Sequence, residues 1–162
     1  PSVEELSPAG FKYKMLPLPT AEEDPILDGT TAMQLVEHLQ SCPEDPLHPH
    51  FMTQLLNLTR KLHEKRSRES GPVMKISVPG LTATDRAPVK VFRAEEESKN
   101  QQPRLVVLGD THGQLTDVLW AFARCGAPSE NNMYVFNGDV ADRSPSSTEI
   151  FALIFVMMLQ YP

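Results

Sequence analysis

The sequence predicts an α/β domain: a βαβα unit with parallel strands, preceded by a helical, proline-rich N-terminal region. Three observations carry this. Arg104-Leu105-Val106-Val107-Leu108 and Met133-Tyr134-Val135-Phe136 are short apolar runs of strand composition. Between them Leu115, Val118, Leu119, Phe122 and Cys125 recur at helical spacing. Twelve of the 15 prolines lie at or before Pro103, which concentrates loops in the first part of the chain.

The 162 residues suffice for one domain of ordinary size, and an apolar fraction of 40% allows a real core. The chain does not begin with Met and stops at Tyr161-Pro162 directly after an apolar run, so it reads as a piece of a longer protein. A net charge of −6 argues against nonspecific nucleic-acid binding. Two cysteines, Cys42 and Cys125, exclude a disulfide framework and suit a reducing compartment, cytoplasmic or nuclear. The longest apolar run, Ile150 to Leu159, falls short of the roughly 20 residues of a membrane span. It reads as a buried helix, with no membrane partner.

In chain order, residues 1–28 hold five prolines and read as an irregular lead-in. Thr30 or Thr31 is expected to cap a short helix carrying Met33, Val36 and Leu39 on one face, ended by Ser41-Cys42-Pro43. After a loop to Pro49, Phe51, Leu55, Leu58 and Leu62 predict a second helix. Its end is basic, with Arg60, Lys61, Lys65, Arg66 and Arg68, which the negative end of a helix explains without an anion ligand. Residues 1–70 are thus a lead-in with two helices. Beyond them, Met74–Val78 and Val89–Phe92 alternate like short strands, and Glu95–Gln102 reads as an exposed loop. The run 104–108 has the composition of a buried strand. Gly126 stands where a helix C-cap glycine belongs, and Ser146 with Glu149 fits a capping box opening the last helix.

Strand, helix, strand, helix in that order is a βαβ unit with a right-handed crossover. In such sheets ligands bind beyond the carboxyl ends of the strands. Gly109-Asp110 follows the first strand and Gly138-Asp139 the second. Parallel neighbours lie about 4.8 Å apart, so the two carboxylates share one small volume, where they repel unless a cation sits between them. His112 approaches the same place from the turn, and glycines 109, 113 and 138 let the backbone bend there. Oxygen and nitrogen donors of this kind suit Mn, Fe or Zn. Asp139 has two oxygens and is able to bridge two ions about 3.5–4 Å apart, which would acidify a shared water. Arg143 is placed to fork onto a tetrahedral oxyanion. Asp142 is assigned to holding a neighbouring proton donor. Each element alone has a plainer reading: a Gly-Asp turn, a histidine beside a helix start, an arginine paired with Asp142 or Glu149. The conjunction favours a metal and phosphate site.

These residues resemble the phosphoprotein phosphatase family of metal-dependent serine/threonine phosphatases. Gly109-Asp110-Thr111-His112-Gly113 stands for its G-D-x-H-G signature, and Gly138-Asp139-Val140-Ala141-Asp142-Arg143-Ser144 for its G-D-x-V-D-R-G. The stretch between them needs no gap, and Asp24 to about Lys65 is more weakly similar to a lead into the family's catalytic domain. The resemblance implies a partial calcineurin-like metallophosphoesterase fold, with residues 71–162 the N-terminal half of a catalytic domain. It places Asp110, His112 and Asp139 on metal ligands, Asp139 as the bridge. Arg143 falls on a phosphate-binding arginine and Asp142 on the aspartate that orients a general-acid histidine, itself expected beyond Pro162. Two divalent ions, phosphoprotein substrates and a regulatory domain ahead of Pro1 come with the resemblance. Ala141 and Ser144 depart from the pattern, and a serine at a position needing φ > 0 would cost of order 1 kcal/mol.

The function expected is hydrolysis of phosphoserine and phosphothreonine by metal-activated water, with the 162 residues alone inactive. One alternative is a binuclear phosphoesterase acting on nucleotides or small phosphate esters. Another is a truncated or degenerate phosphatase-like module that binds partners through its exposed apolar surface; were Pro162 the true end, an exposed helix at 147–159 would make it aggregate or dimerise.

Overall fold

A computed structural model describes residues 18, 27, 29–41, 46–71 and 103–162. The elements there are α1 (Gly29–Ser41), α2 (Pro49–Ser70), β1 (Arg104–Leu108), α3 (Leu115–Cys125), β2 (Asn132–Phe136) and α4 (Ser147–Gln160). The strands expected at 74–78 and 89–92 and the loop at 95–102 lie outside the described residues. The chain divides into two compact units, Pro1–Met74 with Thr148–Pro162, and Lys75–Ser147.

The first unit is helical. In α2 the expected stripe is met: Phe51, Leu55, Leu58 and Leu62 are all buried. The helix opens at Pro49, where a missing N–H costs nothing. Its cap is His48, whose Nδ1 accepts from the His50 amide at 3.0 Å. In α1 the buried face differs from the expected one. Ala32, Leu35 and Leu39 are buried, while Met33 is 75% exposed and Val36 half-buried. At about 100° per residue, Met33 and Leu39 stand roughly 120° apart, whereas Ala32, Leu35 and Leu39 fall within about 60°. Thr30 and Thr31 lie inside the helix, which begins at Gly29, and do not mark its start. From α4, Ile150, Ala152, Leu153, Val156, Met157 and Leu159 are buried, and the Leu27 amide donates to the Leu159 carbonyl at 3.0 Å. The apolar run is therefore a largely buried helix, with Phe151 left 37% exposed. Glu149 Oε2 is buried without a hydrogen-bond partner, so the capping box expected of Ser146 and Glu149 is not closed. Among the described residues no helix is long and apolar enough to cross a membrane.

The second unit is the βαβ hand-off. β1 and β2 pair in parallel, from Arg104 opposite Asn132 to Leu108 opposite Phe136. α3 buries Leu115, Val118, Ala121 and Phe122. Phe122 meets Tyr134 of β2 edge-on, with ring centroids 5.1 Å apart. The turn from α3 into β2 is fastened by Asn132, whose Nδ2 donates to the carbonyls of Cys125, Gly126 and Ala127 at 2.9–3.0 Å. Arg104 Nη2 donates to the Cys125 carbonyl as well, at 2.8 Å. Gly126 takes a positive φ of 77° at the C-cap, as expected. β1 departs from the expectation of a strand buried on both faces. Leu105 and Val107 are exposed, at 38% and 59%, alternating with half-buried neighbours. A run of β-branched residues shows that a strand forms, but not whether both of its faces are covered.

Candidate functional site

Because β1 and β2 are parallel and end level, Leu108 opposite Phe136, the chain leaves both strands at the same edge. Backbone bonds then lace the two loops together. The Asn137 amide donates to the Leu108 carbonyl at 2.7 Å. The Asp139 carbonyl accepts from the amides of Thr111 and His112, at 2.8 and 3.0 Å. The Gly113 amide donates to the Val140 carbonyl at 2.7 Å. In return, the Asp139 amide donates to Oδ1 of Asp110 at 3.1 Å. The two signatures are thus one structure, with the peptide groups flanking Asp139 at its centre.

That lacing holds two donors in place. Oδ2 of Asp110 stands 3.7 Å from Nε2 of His112. His112 turns Nδ1 to the carbonyl of Ala141 at 3.2 Å. A carbonyl only accepts, so Nδ1 carries a proton, and Nε2 is the nitrogen that faces Asp110. A carboxylate oxygen and an imidazole nitrogen facing one another form a donor pair suited to a cation, with the imidazole oriented from behind by a carbonyl.

Glycine is required at two of the three expected positions. A Cβ at Gly138 would stand 2.0 Å from Asp110 Oδ1 and 2.8 Å from the Asp110 amide nitrogen. One at Gly113, where φ is 73°, would stand 2.6 Å from the Ser144 carbonyl oxygen. Gly109 has open space around the corresponding position and no positive φ, so its role in the bend is not steric.

Asp110 and His112 are brought together. Asp139 is tied to both through its backbone, but no hydrogen bond joins its carboxylate to either side chain, and among the described residues no group of three or more His, Cys, Asp or Glu side chains converges to hold a metal. Asp142 and Arg143 follow on the same loop, both exposed and both in the left-handed region, with φ of 72° and 58°. Such backbone costs about 1–2 kcal/mol per residue and is concentrated at functional sites. The strain expected at Ser144 is therefore one and two residues earlier, because Ser144 itself is not left-handed. Among the described residues Arg143, which is exposed, pairs with neither Asp142 nor Glu149. The partner that sequence reasoning missed is the carbonyl of Ala141, for which residue identity gives no signal. The close fit of Gly138 against Asp110 was readable only as a need for glycine.

Residues 103–161 match the family model described as calcineurin-like phosphoesterase. The mouse (Mus musculus) serine/threonine-protein phosphatase with EF-hands 1 is 34% identical over 116 residues, 72% of this chain and 14% of that protein. The human serine/threonine-protein phosphatase with EF-hands 2 is 48% identical over 58 residues, 36% of this chain and 8% of that one. Human serine/threonine-protein phosphatase 5 is 43% identical over 73 residues, 45% of this chain and 15% of that one. The chain thus spans no more than 15% of the length of these relatives. With the strand-tip loops and their Gly-Asp pairs in view, residues 103–161 belong to the calcineurin-like phosphoesterase family.

Proposed function

We propose that the protein carrying this chain is a serine/threonine protein phosphatase that hydrolyses phosphoserine and phosphothreonine esters. The observation that carries the reading is the facing pair of Asp110 Oδ2 and His112 Nε2, set by loops laced across two parallel strand ends. The names of the relatives support the substrate class.

The donor pair fits a divalent cation: one hard anionic oxygen, one imidazole with its other nitrogen bonded, and no thiolate. Asp110, His112 and Asp139 would hold the metal. Mn, or an Fe/Zn pair, suits these donors. When bound, the ions supply an acidified water and neutralise charge on the phosphoryl group. The chain's own residues do the rest. Arg143 binds the phosphoryl oxygens through its forked guanidinium. Asp142 orients a proton donor that serves the departing serine or threonine oxygen. Water oxygen joins phosphorus as that ester bond breaks, and no phosphoenzyme forms. The partners are phosphoproteins, and a regulatory segment ahead of Pro1 accords with relatives so much longer than this chain. The two cysteines suit the cytoplasm or nucleus.

The test is hydrolysis of a phosphoserine peptide by the full-length protein in Mn²⁺. Asp139→Asn should abolish turnover while the protein stays folded. An unchanged rate overturns the assignment.

A further inference from the structure

The loop from Asp142 to Ser147 carries a feature that phosphate hydrolysis does not use. Ser144 is followed by Pro145, and the chain holds one other Ser-Pro dipeptide, Ser7-Pro8. Serine directly before proline is the pair that proline-directed kinases read, because proline at that place has no N–H to leave unsatisfied in the kinase groove. Ser144, itself half-buried, stands in a stretch without helix or strand, with Asp142, Arg143 and Pro145 around it exposed. Its backbone is engaged: its amide donates to the Asp142 carbonyl at 2.7 Å, and its carbonyl accepts from Ser147 Oγ at 3.4 Å. Among the described residues its hydroxyl has no hydrogen-bond partner. The neighbouring Arg143 is exposed and makes no ion pair there.

We propose that Ser144 is a phosphorylation site whose phosphate is held by Arg143, so that modification withdraws that guanidinium from substrate. The step is transfer of the γ-phosphoryl group of MgATP by a proline-directed serine/threonine kinase. The Ser144 Oγ–P bond forms, the β–γ phosphoanhydride bond breaks, ADP leaves, and the hydroxyl proton passes to solvent through the kinase's base. The product carries a charge of about −1.5 to −2 next to Arg143, which makes no ion pair among the described residues. An arginine side chain is long enough to approach a phosphate on the next residue, and charge-assisted bonds of this kind are strong. The inhibitory consequence rests on the assignment of Arg143 to substrate phosphate made above; the modification itself does not.

The full-length protein is incubated with a cyclin-dependent kinase and MgATP and mapped by mass spectrometry. Phosphate should appear on Ser144, vanish in Ser144→Ala and fall at least about tenfold in Pro145→Ala. By ³¹P NMR, the second ionisation of phosphoserine 144 should lie at least about half a unit below the usual value of about 6 and return to it in Arg143→Gln. Hydrolysis of a phosphoserine peptide should show KM raised at least about tenfold by the modification. No phosphate on Ser144, or an ionisation indifferent to Arg143→Gln, overturns the proposal. An Arg143-dependent phosphate with unchanged KM overturns the inhibition. An Arg143-dependent phosphate on a protein whose unmodified form hydrolyses no phosphopeptide supports the modification site and overturns the phosphatase reading instead.

Discussion

Gly138 and Asp110 occupy one space: a methyl group at residue 138 would stand 2.0 Å from the Asp110 Oδ1 that accepts the Asp139 amide. The side chain of Asp110 is thereby held from two directions, by a hydrogen bond and by the lack of a Cβ. Gly138→Ala should push the carboxylate off its bond and lower Mn²⁺ affinity about 10- to 100-fold, as loss of a ligand's support does. Isothermal titration of the full-length protein measures this. Affinity equal to wild type would show that Asp110 does not need the slot.

Asp110→Asn separates charge from geometry. The amide oxygen still accepts from the Asp139 N–H, so the interloop bond survives. At an exposed site the change in stability should stay within about 0.5 kcal/mol. Metal binding and turnover should fall steeply. Urea denaturation beside a Mn²⁺ titration checks both, and a large stability loss without an affinity loss would reverse the assigned role.

The rotated face of α1 has a direct comparison. Met33→Ser alters a residue that is 75% exposed and should shift stability by no more than about 0.5 kcal/mol. Leu35→Ala empties a fully buried site on the same helix and should cost about 2–5 kcal/mol. Equilibrium denaturation of the two variants decides the orientation, since the expected face of Met33, Val36 and Leu39 gives the opposite ranking.

His48 caps α2 with a ring nitrogen, a role more often filled by Ser, Thr, Asp or Asn. His48→Ala should cost about 0.5–2 kcal/mol. His48→Asn, with an oxygen to accept from the His50 amide, should recover part of it. Helix content by circular dichroism through a thermal scan reads the difference.

Asn132 directs one NH₂ group at three carbonyls. Asn132→Asp puts an acceptor against them and removes the donors. The unpaired buried groups should cost upwards of about 3 kcal/mol, with Asn132→Ala milder. Hydrogen exchange at the β2 amides is the sensitive measure. Protection equal to wild type in both variants would mean that the turn is held by its other bonds, from Arg104 to the Cys125 carbonyl and from Tyr134 to the Gly126 carbonyl.

Residue types were informative where one side chain does one job. The stripe on α2 and the glycine closing α3 are visible as spacing, and the structure reproduces them. Asp110 and His112 were readable as a pair because two Gly-Asp turns after parallel strands meet at one edge. Legibility fails where a partner is a peptide group or where burial depends on more distant chain. The carbonyl of Ala141 orients His112, yet any residue supplies a carbonyl. Leu105 and Val107 look like core and stand exposed, because composition reports a strand and not its covering. Met33 was assigned to the buried face by its type, when helical angle excludes it. A serine at 144 was expected to be strained if that position needed left-handed backbone, which belongs instead to His112, Asp142 and Arg143.

The fastening around Asp139 uses its amide and its carbonyl, and leaves the carboxylate out of the joinery. Position 139 is therefore a socket: the frame grips the plug by its spine and leaves the business end interchangeable. A designer who installs an imidazole or a thiol there inherits two aligned loops without rebuilding them, and can ask what a different donor does to the reaction while the scaffold stays constant.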